Sequence, residues 1–472
     1  MPLILPGNVA SATAGAYEVA NSCRFNDGDS AYLSKTLGTP TDVDKWTVSY
    51  WIKRGVLGND ANVFGAGTAS SNEEKAAYFK TSSNTDQFYW QQYISSSTSG
   101  QLKTTQLFRD PAAWYHFVLT YDSGNATSGN RLRMYVNGTE ITAFDSETQP
   151  SADTDSLINS AIAHTIGCDQ AIASFFDGYM AEFLFFDGQA YAPSDVGEFD
   201  EDSPSIWKPK DPSGLTFGDN GFWLDFEDSS ALGNDVSGNN NDFTPANLAA
   251  IDQCVDTPTN NFATLNPIAW TTGGGLTFSE GNCKLTNASS GGWKPAISTI
   301  APTNGKWYCE IKITSSASEH HGILDITQFN DQSNYNLDSL TRAYLYYYYN
   351  GQKINNSSYE DYGDSYTTGD VIGIALDLTN NKVYFAKNGT WQDSGDPTSG
   401  ATGTGAAYSI TDGYDYTFAL NQHNSSVSEI NYGNPSWSLS SAVADANGYG
   451  AFEYAPPSGY LALCTKNLGE EG

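Results

Sequence analysis

The stretch Trp114–Ile141, WYHFVLTYDSGNATSGNRLRMYVNGTEI, is the most informative part of the chain about its architecture. Apolar and polar side chains alternate from Phe117 to Tyr121 and again from Leu132 to Val136, which predicts two strands that each bury one face. The loop between these strands is rich in Asp, Ser, Gly and Asn and is too polar to pack in a core. The pair Asn137-Gly138 closes the second strand, because both residues tolerate the positive φ angles of a tight hairpin. A strand, a loop, a second strand and a hairpin turn predict a β-sandwich.

A second stretch, Val371–Trp391, repeats this pattern as VIGIALDLTNNKVYFAKNGTW. Apolar side chains from Ile372 to Leu378 lie on one face of a predicted strand. Asn380-Asn381 predicts a turn, and Asn388-Gly389 again closes a hairpin. The repetition predicts two all-β domains in tandem.

The composition supports this fold class. The chain has 472 residues, of which 16% are charged and 13% aromatic. Gly, Ser, Thr, Asn and Tyr are abundant, which favours strands and turns over helices. We therefore predict an all-β chain with two antiparallel β-sandwiches (jelly rolls) in tandem and a Pro/Asn-rich connector.

The charge of the chain excludes one class of partner. The formal net charge is −32, from 22 basic and 54 acidic residues. Such a surface repels the phosphate backbone of nucleic acids, so we expect no nucleic-acid partner.

The cysteines and the N-terminus bear on the location of the chain. Six cysteines stand at irregular positions without a CxxC pair, which predicts reduced, mostly buried thiols. Residues 1–22 are small and apolar without periodicity, typical either of a floppy terminus or of an arm that docks on a partner. They carry no basic region, so we expect no signal peptide. No apolar run reaches membrane-spanning length, so we expect no membrane insertion.

Prolines and changes in composition divide the chain into four predicted segments. These are an N-terminal arm, 1–22, a first sandwich, 23–205, a connector, 206–265, and a second sandwich, 266–472. Prolines at 204, 209 and 212 mark the start of the connector. Its Asn-rich part, DVSGNNND, alternatively completes one of the sandwiches or bridges them.

Five blocks of the first domain resemble LamG-like (concanavalin A-like) jelly rolls. In order they are FNDGDSAYL, WTVSYWIKRG, WYHFVLTYD, RLRMYVNGTEI and FFDGYMAEFLFFDGQAYAPSDV. The resemblance implies a two-sheet antiparallel sandwich that binds glycans or proteins through its rim loops, sometimes with calcium.

The second domain resembles a SPRY (B30.2-like) domain. The blocks that carry the resemblance are GGWKPAISTI, NGKWYCEIKI, HHGILDI, GDVIGIALDLTNNKVYFAKNGTW, YTFALNQHNSSVSEINYGNPSW and PPSGYLALC. This resemblance implies a bent antiparallel sandwich whose loops recognise partners. The run YLYYYY at 344–349 departs from the family pattern.

The segment between the domains resembles a junction in virion proteins of tailed bacteriophages, notably marine ones. It reads GFWLDFEDSSALGNDVSGNNNDFTPANL and is followed by TPTNNFATLNP. The N-terminal MPLILPGNVASA is similar to the same proteins. The resemblance implies a virion protein assembled in the host cytoplasm.

No catalytic set is evident in the sequence. The five histidines form no HExxH or His-x-His pattern, and no GxSxG elbow or phosphate-binding loop occurs. Asp225 and Glu227 would share a face if LDFED were a strand, but a glycosidase of this fold needs a further carboxylate. We therefore predict a protein that is not an enzyme.

Two clusters of oxygen-bearing side chains are candidate calcium ligands, since hard cations bind carboxylate and carbonyl oxygens on loops. One cluster holds Asp27 and Asp29, and the other Asp235, Asn239, Asn241 and Asp242. The alternative is turn chemistry, in which Asn and Asp side chains hydrogen-bond to their own backbone.

Exposed aromatic rings are the candidate glycan platforms, because sugars present C–H faces that stack on rings. The candidates are Trp90 and Tyr93 in the first domain and Tyr344, Tyr346 and Tyr348 in the second. The alternative is core packing, with one face of the tyrosine run serving as a subunit contact.

Together these observations lead to a hypothesis of a non-enzymatic phage virion protein, a tail fibre or receptor-binding component that contacts a host surface glycan or protein. A homo-oligomer, a trimer, is expected, with residues 1–22 docked on other virion proteins. A capsid decoration protein, a polysaccharide depolymerase and a secreted cellular adhesin are the alternatives.

Overall fold

The computed structural model describes residues 17–80, 86–269, 274–288, 291–329 and 335–471, with the side chains of 76–80 left undescribed. These residues form two compact units, the first ending at Thr259 and the second beginning at Asn260. Each unit has its own apolar core. Most of the predicted N-terminal arm, residues 1–16, lies outside the described residues.

Antiparallel strands of two to eleven residues build the first unit. In chain order its elements are β1 (Ser22–Phe25), a 3₁₀ turn (Asp27–Asp29), β2 (Tyr32–Thr36), β3 (Lys45–Arg54), β4 (Ala61–Ala69), β5 (Asn72–Lys80), β6 (Gln87–Ile94), β7 (Ser97–Leu107), β8 (Trp114–Asp122), a 3₁₀ turn (Ser128–Asn130), β9 (Leu132–Val136), β10 (Thr139–Glu140), β11 (Phe144–Thr148), β12 (Ala163–Ile166), β13 (Gly178–Asp187), α1 (Pro193–Val196), β14 (Gly197–Phe199), β15 (Trp207–Pro209), β16 (Phe222–Leu224), β17 (Thr244–Ala246), a 3₁₀ turn (Ala250–Asp252) and β18 (Gln253–Cys254).

Two large sheets enclose the first core. Sheet A has the order β10-β9-β8-β3-β13-β1-β18, with β16 also paired to β13, and sheet B has the order β11-β7-β6-β5-β4-β12-β2-β17. The apolar alternation of the opening stretch points into this core, because Phe117, Leu119 and Met134 are fully buried there. The antiparallel β-sandwich predicted from the sequence is confirmed.

The proposed connector belongs largely to the first unit. Its strands β16, β17 and β18 pair with β13, β2 and β1 respectively. The boundary at 205 therefore differs from the structural one at Thr259. The physical reason lies in β13, whose register shifts between Ala181 and Leu184. Glu182 adopts a positive φ of 47° there, and beyond this bulge β13 exchanges β1 for β16 as its neighbour.

The second unit is also built of antiparallel strands, except that its last strand pairs in parallel. Its elements are β19 (Leu276–Ser279), β20 (Lys284–Asn287), β21 (Lys294–Ile297), β22 (Lys306–Ser315), β23 (Ser318–Asp325), 3₁₀ turns (Ile326–Gln328 and Leu337–Ser339), β24 (Ala343–Tyr347), β25 (Lys353–Asn355), β26 (Ser358–Glu360), β27 (Val371–Asp377), β28 (Lys382–Lys387), β29 (Thr390–Trp391), 3₁₀ turns (Gln392–Ser394 and Pro397–Thr402), β30 (Tyr408–Ser409), β31 (Tyr416–His423), β32 (Val427–Asn431), β33 (Leu461–Ala462) and α2 (Thr465–Glu471).

Two sheets again face each other. Sheet C has the order β19-β20-β32-β22-β27-β28-β29, with β30 on β28 and β33 paired in parallel with β22, and sheet D has the order β21-β31-β23-β24-β25-β26. The alternating residues Ile372, Ile374 and Leu376 are fully buried in the core between them. The predicted second sandwich is confirmed.

The two Asn-Gly hairpins are equivalent in detail. Asn137 and Asn388 both have φ 47°, and each is followed by a glycine at positive φ. The side-chain oxygen of Asn137 accepts a hydrogen bond from the backbone N–H of His116 at 2.8 Å. That of Asn388 accepts one from the backbone N–H of Val371 at 2.9 Å. Each asparagine thus ties its turn to the first strand of its hairpin.

Two further features concern the whole described chain. All six cysteines are buried and free of disulfide bonds, which confirms the predicted buried thiols. Among the described residues, no helix is long and apolar enough to cross a membrane.

Candidate ligand-binding sites

Three of the five predicted glycan platforms are inside the protein. Trp90 is fully buried in the first core, and Tyr344 and Tyr346 are buried in the second. Trp90 packs over Gly100, where an added Cβ would lie 2.7 Å from the indole ring. These three rings cannot stack on a sugar, so their assignment as platforms is wrong. The packing alternative describes them correctly, because the strand periodicity that exposes one face buries the other.

The other two predicted rings are partly accessible. Tyr93 on β6 and Tyr348 beyond the end of β24 are both half-buried. Their role as glycan contacts stays a prediction.

The most exposed rings of the tyrosine run lie beyond the end of the strand. We define the tyrosine shelf as Tyr347, Tyr348, Tyr349 and Tyr359. Tyr349 is 70% exposed and Tyr359 is 45% exposed. The ring of Tyr347 joins them, with centroids 6.3 Å from Tyr349 and 5.9 Å from Tyr359. Sequence analysis missed Tyr349 and Tyr359, because the point at which β24 ends is not visible in a run of four tyrosines.

A buried polar group holds the shelf in place. Asp338 accepts hydrogen bonds from the hydroxyl of Tyr359 at 2.7 Å and from the amide of Asn336 at 3.1 Å. Its other oxygen lies 2.5 Å from Nδ1 of His320. Burial acts to raise the pKa of Asp338, but the hydrogen bonds of His320 and Tyr359 outweigh it and lower that pKa. An ionised carboxylate therefore anchors one end of the shelf.

His320 completes this support from sheet D. Its ring stacks on Trp293 at a centroid distance of 4.2 Å and meets the edge of Tyr347 at 4.5 Å. Burial lowers the pKa of His320. The neighbouring His321 packs near Tyr366 instead, with ring centroids 6.1 Å apart. Consecutive strand residues point to opposite faces, so these two imidazoles do not form a chelating pair.

The Asn-rich cluster predicted to bind calcium is a hydrogen-bonded turn. Asp235 accepts from the backbone N–H groups of Trp223 and Asn241, and Asp242 accepts from that of Asp235. The amide nitrogens of Asn239 and Asn241 both donate to the carbonyl of Gly221. Both carboxylate oxygens of Asp235 already accept hydrogen bonds, which favours turn chemistry, and calcium binding by this cluster stays a prediction.

The Asp27–Asp29 turn is organised in the same way. Asn26 accepts from the backbone N–H of Gly28 at 3.1 Å and donates to Asp29 at 3.0 Å. Burial raises the pKa of Asp27, whereas a cation site favours ionised carboxylates. Among the described residues, no group of three or more His, Cys, Asp or Glu side chains is arranged to hold a metal ion.

Asp225 and Glu227 do not form a carboxylate pair on a strand. β16 ends at Leu224, and the backbone N–H of Glu227 donates to Asp225 within a turn. Both charges act on Glu182, whose pKa burial raises to about 8. Glu182 is buried and accepts a hydrogen bond from the hydroxyl of Tyr17 at 2.9 Å.

His116 also stands beside a potential nucleophile. Its Nε2 lies 2.8 Å from the hydroxyl of Ser49, and Trp207 donates to its Nδ1 at 2.8 Å. An indole N–H only donates, so Nδ1 is the acceptor and the ring proton resides on Nε2. Nε2 then donates to Ser49 and cannot act as its base. Burial lowers the pKa of His116 to about 3, so the imidazole is a packed, neutral group.

Comparisons with known families agree with this architecture. Residues 26–196 match the family described as "Concanavalin A-like lectin/glucanases superfamily", in its Laminin G form. Residues 306–410 match the SPRY domain. The chain therefore carries a LamG-like, concanavalin A-like domain followed by a SPRY domain.

Individual proteins resemble parts of the chain. The ATP-dependent RNA helicase Ddx1 of Drosophila melanogaster is 28% identical over 161 residues, covering 34% of this chain and 18% of the helicase. The E3 ubiquitin-protein ligase RKP of Arabidopsis thaliana is 29% identical over 132 residues, 27% of this chain and 9% of the ligase. The chain thus matches less than a fifth of either relative.

Solved structures also resemble parts of the chain. The SPRY domain of human HERC1 shares 18% identity, with a TM-score of 0.28, over 35% of this chain and 96% of that chain. A putative carbohydrate binding protein from Bacteroides ovatus shares 14% identity, with a TM-score of 0.35, over 48% of this chain and 58% of that chain.

Proposed function

We propose that this chain is a non-enzymatic adhesion protein of a tailed-bacteriophage virion, a tail-fibre or receptor-binding component that contacts a host surface glycan or protein. Lectin-like and SPRY folds present their loops for binding, and the chain carries both. The phage assignment is supported by the resemblance of the junction sequence between the two domains. Residues 1–22 dock on other virion proteins in this proposal, and the chain assembles as a homotrimer.

The observation that carries the binding function is the tyrosine shelf. A ring such as Tyr349 that is 70% exposed beside other rings offers a flat apolar surface at little cost in side-chain entropy. Hydrogen-bonding side chains come next in the chain, beginning with Asn350 directly after Tyr349. The amide of Asn350 donates to Gln352 at 2.8 Å, and the amide of Gln352 donates to Asp361 at 3.3 Å. Rings bordered by amides and carboxylates match the alternating C–H and hydroxyl surface of a saccharide.

The test of adhesion compares two exposed tyrosines of the second unit. Tyr349→Ala should weaken binding of the purified chain to host cells about fivefold, since a stacked ring contributes about 1 kcal/mol. Tyr414 is also exposed, at 38%, but lies outside the shelf, so Tyr414→Ala is the matched control and should bind normally. Equal binding by both variants and the wild type would contradict a role for the shelf.

The virion assignment is tested on purified particles. Mass spectrometry should find the chain in the particles, and labelled antibodies should mark the tail under the electron microscope. Deletion of residues 1–16, which keeps β1, buried Val19 and the hydrogen bond from Tyr17 to Glu182, should abolish incorporation into particles, and light scattering should give the mass of a trimer. Label on the head would favour a capsid decoration protein instead, and absence of the chain from particles would reject both.

One observation favours a second candidate, a polysaccharide depolymerase. Burial and, to a smaller extent, the charges of Asp225 and Glu227 raise the pKa of Glu182, and a carboxyl group with a raised pKa is a general requirement for acid catalysis of glycoside cleavage. Release of reducing sugar from capsular polysaccharide, lost in Asp225→Asn, would support this candidate. Unchanged polysaccharide would leave adhesion as the function.

A further inference from the structure

A second binding site is open in the first unit, where the polar loop after β8 meets the segment after β13. The cleft has a volume of about 170 Å³. Its lining includes Asp122, Asn125 and Asn130 from the loop side, Arg133 and Tyr135 from β9, and Tyr191 from the segment after β13. We propose that this cleft binds one ring of a neutral saccharide, an inference that deepens the proposed adhesion function and rests on it.

Both walls of the cleft are fixed before a ligand arrives. On the loop side, Arg131 donates to the carbonyls of Asn125 at 3.0 Å and Pro150 at 3.1 Å. On the other side, the backbone N–H of Tyr191 donates to the hydroxyl of Thr47 at 2.9 Å, and its carbonyl accepts from Thr120 at 3.1 Å. A site held by such bonds loses little entropy when it binds.

The polar groups in the cleft have hydrogen-bonding capacity to spare. The side-chain amide of Asn130 and the hydroxyl of Tyr135 make no hydrogen bond to any residue that the structure describes. The amide oxygen of Asn125 accepts from the backbone N–H of Thr127 at 3.0 Å, and its NH₂ points to no described acceptor. Asp122 has a lysine, Lys45, at 4.0 Å. Donors and acceptors are therefore mixed, as hydroxyl groups require.

The charges in the cleft select a neutral ligand. Asp122 opposes an anion, and Arg133 opposes a cation even though it is paired with Glu140 at 2.8 Å. The net charge of −32 further repels acidic saccharides. The ring of Tyr191 supplies an apolar face for sugar C–H groups, whereas the buried ring of Tyr135 lies under Arg133 at 5.2 Å and offers only its hydroxyl.

The size of the cleft limits the ligand to a single ring. Pockets for drug-sized ligands occupy roughly 300–1,000 Å³, and this one is about 170 Å³. A terminal or side-branch sugar of a longer glycan fits that limit, with the rest of the glycan outside.

The test uses the full chain and a panel of neutral oligosaccharides, with affinities measured by titration calorimetry. Asn130→Ala and Tyr135→Phe should each raise the Kd of the bound saccharide about fivefold, the loss expected for one or two hydrogen bonds. Ser128 is exposed on the same loop and does not line the cleft, so Ser128→Ala is the matched control and should leave the Kd unchanged. A Kd that neither Asn130→Ala nor Tyr135→Phe changes would overturn the proposal.

Two further outcomes separate this proposal from the adhesion function. If no neutral saccharide binds while host-cell binding still depends on Tyr349, the cleft proposal fails and adhesion stands. If acidic saccharides bind more tightly than neutral ones in an Asn130-dependent way, the assignment of a neutral ligand is overturned. If saccharide binding is absent and host-cell binding is insensitive to Tyr349→Ala, both proposals fail.

Discussion

The β8–β9 hairpin of the first unit and the β27–β28 hairpin of the second have matching strand pairs and closing turns, but the connections between their strands differ in length. In each, the first strand ends in an aspartate that lies opposite a lysine, Asp122 with Lys45 and Asp377 with Lys306. Each hairpin then closes at the other end with an equivalent Asn-Gly turn. The difference lies in the connection after the aspartate, which is residues 123–131 in the first unit and residues 378–381 in the second.

The short connection uses its aspartate to close the turn. Asn380 donates both its backbone N–H, at 2.9 Å, and its side-chain NH₂, at 2.8 Å, to Asp377. Lys306 adds an ion pair at 3.3 Å. The long connection instead leaves Asp122 on the wall of a cleft. The aspartate at the end of the first strand therefore stabilises the turn in the second unit, whereas in the first unit it lines the cleft.

The strongest test of this difference between the two hairpins is to replace each aspartate with alanine. The side chain of Asp377 is only 1% exposed, so Asp377→Ala should cost about 2–3 kcal/mol of unfolding free energy through its lost hydrogen bonds and the unpaired lysine. Asp122→Ala should cost under about 1 kcal/mol, as expected for a surface ion pair. Denaturant unfolding of the full chain measures both. Equal costs would show that the two aspartates do the same work.

A second prediction contrasts the buried glutamates of the two units. Burial raises the pKa of Glu182 to about 8 and that of Glu310 to about 7. Glu310 accepts hydrogen bonds from the backbone N–H groups of Glu453 and Tyr454, both at 2.8 Å. These bonds lower the pKa of Glu310 and oppose the effect of burial.

The sign of the pH effect depends on proton binding. The folded state holds the Glu182 proton more tightly than the unfolded state, so its contribution to stability is complete below about pH 4.5 and is lost as the pH rises through about 8. Between pH 5 and 9 the wild type should lose roughly 2–4 kcal/mol relative to Glu182→Gln. Denaturant unfolding of both proteins across this range provides the measurement. Parallel pH profiles of the two proteins would contradict the burial of a protonated Glu182.

A third prediction concerns the Asn-Gly turn that the two hairpins share. Asn137→Ala and Asn388→Ala should each cost about 1–2 kcal/mol, because alanine disfavours positive φ and lacks the oxygen that bonds to the first strand. The glycine variants keep the φ angle and should cost less. Thermal unfolding of the four variants tests whether the turns are equivalent. Costs that differ by more than about 1 kcal/mol between the alanine variants would show that they are not.

The regular parts of both units could be predicted from the sequence. Period-2 alternation predicts β8, β9, β27 and β28, although β27 is buried at every position and β8 at all but two. Strands β16 to β18 could not be found in this way. Each has two or three residues, too few to show a period, and their partners are distant, as in the pairing of Thr244 with Ser34.

The binding surfaces were only partly predictable for a related reason. The polarity of residues 123–131 correctly predicts a loop, but the opposite wall of the cleft comes from Tyr191 through long-range packing. The run of tyrosines indicates a platform, but only the strand ending at Tyr347 decides which rings stay buried. Local pattern determines which face of a strand is apolar, and tertiary packing determines where that pattern ends.

The bulge at Glu182 has a practical consequence for anyone dividing the gene. A fragment cut at residue 205 would lack β16, which pairs with β13 along Phe183–Phe185. The backbone amides and carbonyls of β13 there would be unpaired and exposed. Strands of separate molecules pair along such an exposed edge and aggregate. A fragment that runs to Thr259 retains β16, so this edge of β13 stays paired.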